Sequence, residues 1–263
     1  MSNKILVQVC NENYLEQAKY LFANAKIHGK WDGDYCLIAN NISPNKLNFL
    51  KETEISIFNI KSSNFYYAKL NIFDIFFKQW DYVLYFDQDI VIFDDISIEE
   101  LPPKKIMFAD LDRPFTIDQY LCQMHLSDQK EKAISELKTE YPFINEPGYN
   151  TGFLYFNTSL IEEDTVEKIN NLKDRLSNIN NHASIGSDQP IINLYFYQNL
   201  SSNSFCSFWR TPENKIKKAA HFCHGEAPWN NNTYSNKMNK SYKEHYEECL
   251  SLFDKKFRRI YNV

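Results

Sequence analysis

The chain has 263 residues, 43% of them hydrophobic and 24% charged, with a formal net charge of -5. This ordinary globular balance excludes a disordered, collagenous or disulfide-scaffold chain, and the acidic excess excludes a whole-surface footprint for nucleic acid. Only 6 glycines are present, where usage near ~7% would give about 18, so a polyanionic ligand has to be met by local groups or a metal instead of a glycine-rich cradle.

Hydrophobic patterning predicts alternating strands and helices in chain order. Ile5 to Val9 reads as a strand, followed by polar CNENY and an amphipathic helix from Tyr14 to His28. Tyr35 to Ile38 is a second strand, Asn45 to Glu52 a helix, Ile55 to Ile60 a third strand and Ala68 to Lys78 a further helix. Tyr82 to Phe86 is uninterruptedly apolar, as expected of a strand covered on both faces. Lys105 to Ala109 and Phe153 to Phe156 read as strands. Leu126 to Lys138, Glu162 to Leu176, and Gln189 to Tyr197 after a Ser187-Asp188 cap read as helices. The last stretch, Tyr242 to Phe257, carries Tyr242, Tyr246, Leu250, Phe253 and Phe257 at helical spacing. The expected fold class is α/β, with a mixed, mostly parallel sheet flanked by helices in one domain. A main body over 1–236 and an amphipathic helical segment over 237–263 that packs on it divide the chain.

The N-terminal sequence MSNKILVQVCNENY holds only a short apolar stretch, and no run approaches ~18 apolar residues. A cytoplasmic protein without a membrane span is expected. Lys255-Lys256-Phe257-Arg258-Arg259 at the end of the last helix leaves peripheral contact with an anionic membrane open. The cysteines, Cys10, Cys36, Cys122, Cys206, Cys223 and Cys249, form no CxxC pair, so reduced, buried thiols are expected.

In open α/β sheets, ligands bind beyond the carboxyl ends of the strands. Asp87-Gln88-Asp89 stands there, directly after Tyr82 to Phe86. On an extended segment residues i and i+2 project to one side, so two hard carboxylates can meet one Mn²⁺ or Mg²⁺. Its bland reading is a solvated turn. Asp94-Asp95, before ISIEEL, reads as a cap or turn. Downstream, in AHFCHGEAPW, the imidazole of His221 can complete the coordination begun by two aspartates. A zinc site on His221, Cys223 and His224 lacks a second ligand pair at familiar spacing. The string DQDIV also fits the opening motif of haloacid-dehalogenase-like phosphatases, in which the first Asp is a nucleophile, though no later Lys and paired-Asp signature follows.

The ordered set YAKLNIFD, VLYFDQDIVIFDDI, YNTGFLYFN, GSDQPIINLYF and AHFCHGEAPWN resembles the retaining glycosyltransferases of family 8. The likeness runs from about Val7 to Trp229. It implies a GT-A fold and transfer of a hexose, with retention, from a UDP-sugar such as UDP-glucose or UDP-galactose to a glycan, lipid-linked or other hydroxyl acceptor. By the same resemblance, Asp87, Asp89 and His221 hold Mn²⁺ (or Mg²⁺) against the diphosphate. Val9, Cys10, Asn11 and Tyr14 meet the uridine, and Lys69, Gln88, Asp112, Asn150, Thr151 and Gly152 surround the phosphates and donor sugar. Asp188 and Gln189 stand beside the anomeric carbon as the catalytic pair. The tail motif departs from the family pattern: Ala227 occupies the usual lysine position and His224 the usual glycine. His224 is then the basic group left, with Gly225, to face the phosphates. That departure motivates the alternative of a protein that binds nucleotide-sugar or glycan without turnover. Self-priming of the glycogenin type is not expected, because NLSSNSFCSFWRTPENK contains no tyrosine.

Overall fold

A computed structural model of the chain describes residues 3–97, 101–122, 130–179, 188–202, 206–208, 218–222 and 236–257. Its centre is a seven-stranded sheet of β1 (Lys4–Cys10), β2 (Asp34–Asn40), β3 (Ile55–Ile60), β4 (Tyr82–Phe86), β6 (Met107–Thr116), β7 (Pro147–Asn157) and β8 (Leu200–Ser202), in the order β3-β2-β1-β4-β7-β6-β8. Strand β7 runs antiparallel to both neighbours, and every other pair is parallel. A three-stranded sheet, β5 (Ile90–Ile92), β10 (Ala219–His221) and β9 (Cys206–Phe208), lies beside it.

Alternation along the strands feeds two cores. Leu6, Leu37, Leu84 and Tyr155 face one side, against Leu21 and Phe22 of α1 (Leu15–Ile27) and Cys249, Phe253 and Phe257 of α7 (Asn236–Phe257). Their neighbours Ile5, Val7, Val83 and Phe156 face the other. There they meet Phe73 and Phe77, Ile169 and Leu172 of α5 (Thr165–Ile179), and Ile191 and Ile192 of α6 (Gln189–Phe196). Helix α7 therefore spends its apolar face on the domain, with Phe257 against Tyr35 at 5.0 Å and Phe253 against Phe49 at 5.9 Å between ring centroids. Among the described residues no helix is long and apolar enough to cross a membrane. Lys255 and the basic residues after Phe257 have no described side chains.

Several elements differ from their sequence-based expectation for local reasons. The helix expected over Ala68 to Lys78 is α2 (Phe65–Ala68) followed by two 3₁₀ turns, Lys69–Phe73 and Ile75–Gln79. Asp74 separates the turns: its ψ is 146°, and its carboxylate accepts from Phe76 N at 2.8 Å, a local bond that competes with helix continuation. Asn45 to Glu52 is likewise a 3₁₀ segment, Pro44–Leu50. Lys105, expected in a strand, has φ 60° and turns the chain before β6. Two more helices are α3 (Ile117–Cys122) and α4 (Lys130–Glu140). The part of the expected 126–138 helix before Lys130 lies outside the described residues. Asp94 and Asp95 do form a turn, Asp95 Oδ1 accepting from Ser97 N at 2.8 Å.

Candidate active site

Four segments meet at the carboxyl end of β4. The first is Asp87-Gln88-Asp89, which departs from the extended geometry expected of it: Ile90 N donates to Asp87 O at 3.2 Å, closing a β-turn. The turn brings both carboxylates to one place by curling the chain, not by strand periodicity. The second is β10, whose His221 pairs with Ile90 across an antiparallel ladder, with Phe222 N donating to Asp89 O at 2.8 Å. His221 Nε2 then lies 3.1 Å from Asp89 Oδ1 and 4.0 Å from Asp87 Oδ2. One ligand atom each from Asp87, Asp89 and His221 falls within 4.8 Å of the others. Burial opposes a charge on His221, but Asp89 and Asp87 outweigh it and hold the imidazole above its ordinary pKa.

The third segment is Asn150-Thr151-Gly152 of β7, where Asp87 N donates to Gly152 O at 2.7 Å. A Cβ at Gly152 would lie 2.3 Å from His221 Cε1, so only glycine lets the imidazole pack against the strand here. Asn150 Oδ1 accepts from Gly152 N at 2.8 Å.

The fourth is the start of α6. Asp188 sits at its N-cap position but makes no capping bond, contrary to the Ser187-Asp188 cap expected from sequence. Ser187 lies outside the described residues. The Asp188 carboxylate turns instead into the site, where its Oδ2 accepts from Lys69 Nζ at 2.9 Å and Thr151 Oγ1 at 2.8 Å. Gln189 Oε1 faces Thr151 N at 3.4 Å. Asn193 pins the helix to β7: its Oδ1 accepts from Tyr149 N at 2.7 Å, and its Nδ2 donates to Tyr149 O at 2.8 Å and Gln189 O at 2.9 Å.

Lys69 joins these segments. Its buried ammonium donates to Asp188, to Asp87 Oδ1 at 3.1 Å and to the Thr151 carbonyl at 3.1 Å. An ammonium has three donors. All three are engaged within the protein, so Lys69 acts as a clamp on two carboxylates. Burial alone would lower its pKa, yet Asp188 and Asp87 raise it above the usual lysine value. Tyr85 adds a second hold on Asp87, donating its hydroxyl to Oδ1. Burial first, and then the charge of Asp87, push that phenol well above its usual pKa, so it stays a donor.

The first loop is less tightly joined to this group. Val9 and Cys10 are buried in opposite cores, which leaves only their backbone for a ligand, and burial pushes the Cys10 thiol up to about 12. Asn11 accepts from Asn13 N at 2.9 Å. Tyr14 is 41% exposed and stacks on Phe65, four residues before Lys69, at 5.3 Å between centroids. The backbone of Asp112 lies in β6, beyond a register shift between Ala109 and Asp110; its side chain is not described. Cys223, His224, Gly225 and Ala227 lie outside the described residues, and the zinc reading that needs Cys223 and His224 lies there too.

Sequence reasoning missed Tyr85 and Asn193. Tyr85 stands two residues before Asp87, and Asn193 is the one polar residue inside PIINLYF, both signals open to reading.

The mixed sheet with a carboxylate and imidazole cluster beyond its central strand matches the GT-A fold. Solved structures share it: the galactosyltransferase LgtC, in complex with donor and acceptor sugar analogues, superposes with a TM-score of 0.63 at 14% identity over 98% of both chains. An active-site glutamine variant of LgtC gives 0.66 at 14% identity, over 93% of this chain and 95% of that one. The glycosyltransferase GlyE of Streptococcus pneumoniae TIGR4 gives 0.62 at 16% identity, over 97% of this chain and 64% of that one. No curated protein matches the sequence. The sequence model of glycosyl transferase family 8 matches residues 35–233, and the chain belongs to that family. Membership sets aside the phosphatase reading of DQDIV, in which Asp87 would have to be a free nucleophile.

Proposed function

We propose that the protein transfers a hexose from a UDP-sugar to a hydroxyl of a glycan or lipid-linked acceptor, with retention and with the help of a divalent cation. The observation that carries this reading is the coupling of two groups through Lys69: the Asp87, Asp89, His221 cluster and the Asp188, Gln189 pair.

Two oxygen donors and one imidazole nitrogen suit Mn²⁺ or Mg²⁺, and Asp87, Asp89 and His221 are the residues that would hold it. Bound there, a cation supplies Lewis-acid neutralisation of the charge that grows on a departing nucleoside diphosphate. The charge balance supports the same assignment. Three carboxylates face one ammonium and one imidazole, a set that repels a diphosphate unless further positive charge enters.

The chain's own residues then divide the work. Tyr85 and Lys69 fix Asp87, so its ligand oxygens are preorganised. Asp188 is only 7% exposed and receives both of its bonds on Oδ2, leaving Oδ1 unbonded among the described residues. A carboxylate oxygen of this kind, with Gln189 beside it, stabilises positive charge developing at the anomeric carbon. Tyr14, exposed and stacked on Phe65, offers an aromatic face to a base. Incubation with a UDP-hexose, Mn²⁺ and a sugar acceptor tests the reading. The expected product is an α-glycoside from an α-linked donor, seen by NMR, and a β-glycoside would refute retention.

A further inference from the structure

A second group of metal-capable side chains lies between α1 and α7, and the transfer chemistry uses none of it. His245 and Cys249 are spaced i, i+4 on α7 and so share one helix face. His28 follows the last turn of α1, its N–H bonded to Asn24 O at 2.9 Å. One ring nitrogen from each histidine and Cys249 Sγ lie within 4.8 Å of one another, and the two rings are 4.2 Å apart between centroids.

A separate observation points to a missing partner. His28 Nε2 is buried and has no hydrogen-bond partner among the described residues. Buried polar atoms of that kind are rare, because each forfeits its bonds to water. The neighbouring ring is fixed: Asn24 is oriented by Ile92, accepting its N–H at 2.7 Å and donating to its carbonyl at 2.8 Å, and Asn24 Nδ2 stands 2.9 Å from His245 Nε2. An amide nitrogen only donates, so His245 Nε2 carries its lone pair toward Asn24 and the ring proton sits on Nδ1.

The two imidazoles are neutral, whereas the thiol has to give up a proton to bind. Burial lowers the pKa of His28 and takes that of His245 down to about 4, so both rings are neutral with a lone pair to give. Burial pushes the Cys249 thiol up to about 12, so it keeps its proton until a cation displaces it. Glu248, whose charge is felt by both rings, offsets part of an added positive charge.

We propose that His28, His245 and Cys249 bind a thiophilic divalent cation of the zinc type, which fastens α7 to the end of α1. Nitrogen and thiolate are the donors such a cation prefers, in contrast to the oxygen-rich set around Asp87. Tetrahedral ligation places ligand atoms about 3.3–3.6 Å apart, a modest contraction of the group as it stands. On binding, the Cys249 S–H bond breaks and its proton passes to solvent, the sulfur electron pair bonds the cation, His245 Nε2 exchanges the Asn24 N–H for the cation, both imidazoles stay neutral, and water takes the fourth position. The inference stands independently of the transferase reading.

Full-length protein, stripped with EDTA and returned to reducing buffer, is titrated with Co²⁺ as the probe. The expected result is a thiolate-to-cobalt charge-transfer band that saturates at one equivalent. Asp87, Asp89 and His221 contain no sulfur and cannot produce it. Cys249→Ser should remove the band, and His28→Gln should weaken Co²⁺ binding at least ~10-fold. Zn²⁺ at ~100 times its Kd should raise Tm by about 5–10 °C in the unaltered protein and in Asp89→Asn, but not in His28→Gln. If Cys249→Ser does not fold, His28→Gln carries the comparison alone. Absence of the band in the unaltered protein, its persistence in Cys249→Ser, or an equal zinc shift in His28→Gln overturns the proposal.

Discussion

The Asp87, Asp89, His221 group and the His28, His245, Cys249 group contain three metal-capable side chains each, yet they are built in opposite ways. The first sits where strands end, with Asp87 held in a charged network by Lys69 and Tyr85 and with Asp89 beside His221. The second sits where two helices pack, in neutral form, and is held by the amide of Asn24. Charge gathered at strand ends serves turnover, because a ligand of opposite sign can enter and leave. Neutral donors between two packed helices serve attachment. The difference teaches that donor type and support, more than the number of ligands, separate a reactive site from a fastening one.

Substitutions can break that contrast, and the largest effect falls on Asp188. Asp188→Asn keeps the shape but removes the charge, and kcat for sugar transfer should fall by ~10³ or more while donor Kd changes less than ~3-fold. Equal losses in Kd and kcat would show a binding role. Lys69→Met should cost about 3–5 kcal/mol of stability, since it leaves two carboxylates without their shared partner. Denaturant unfolding measures this, and a loss below about 1 kcal/mol would remove Lys69 as the clamp. Asp89→Asn, like treatment with a chelator, should weaken Mn²⁺-dependent UDP binding by ~100-fold in calorimetry with Tm nearly unchanged. Unaltered Mn²⁺ dependence would take Asp89 out of the ligand set. Thr151→Val removes only the hydroxyl bond to Asp188, and kcat should drop about 10-fold with KM little changed.

Much of this was legible in the sequence, for reasons that can be named. The apolar runs at Ile5 and Tyr82 gave strands buried on both faces, and the position of Asp87-Gln88-Asp89 after the second put the acids at a strand end. His221 was legible only with the distant motifs beside it. Other features depended on long-range geometry. Asp188 looked like a helix cap because Asp before Gln-Pro favours one, but Lys69 and Thr151 draw its carboxylate away. The bonds of Lys69 to Asp87 and Asp188 were not legible, since these acidic partners come from segments far along the chain. The break at Asp74 arises from a local bond that hydrophobic spacing does not register. His28 and His245 stand near opposite ends of the chain, so only folding joins them. The i, i+4 spacing of His245 and Cys249 was in the sequence, but nothing there linked it to α1.

The most direct test of the account is UDP release from a panel of UDP-hexoses, measured with Mn²⁺, with EDTA and in Asp89→Asn. The account predicts release with at least one donor, dependent on the cation, and its loss both with EDTA and in the variant. Absence of release with every donor, or release that is indifferent to EDTA and to Asp89→Asn, would contradict it.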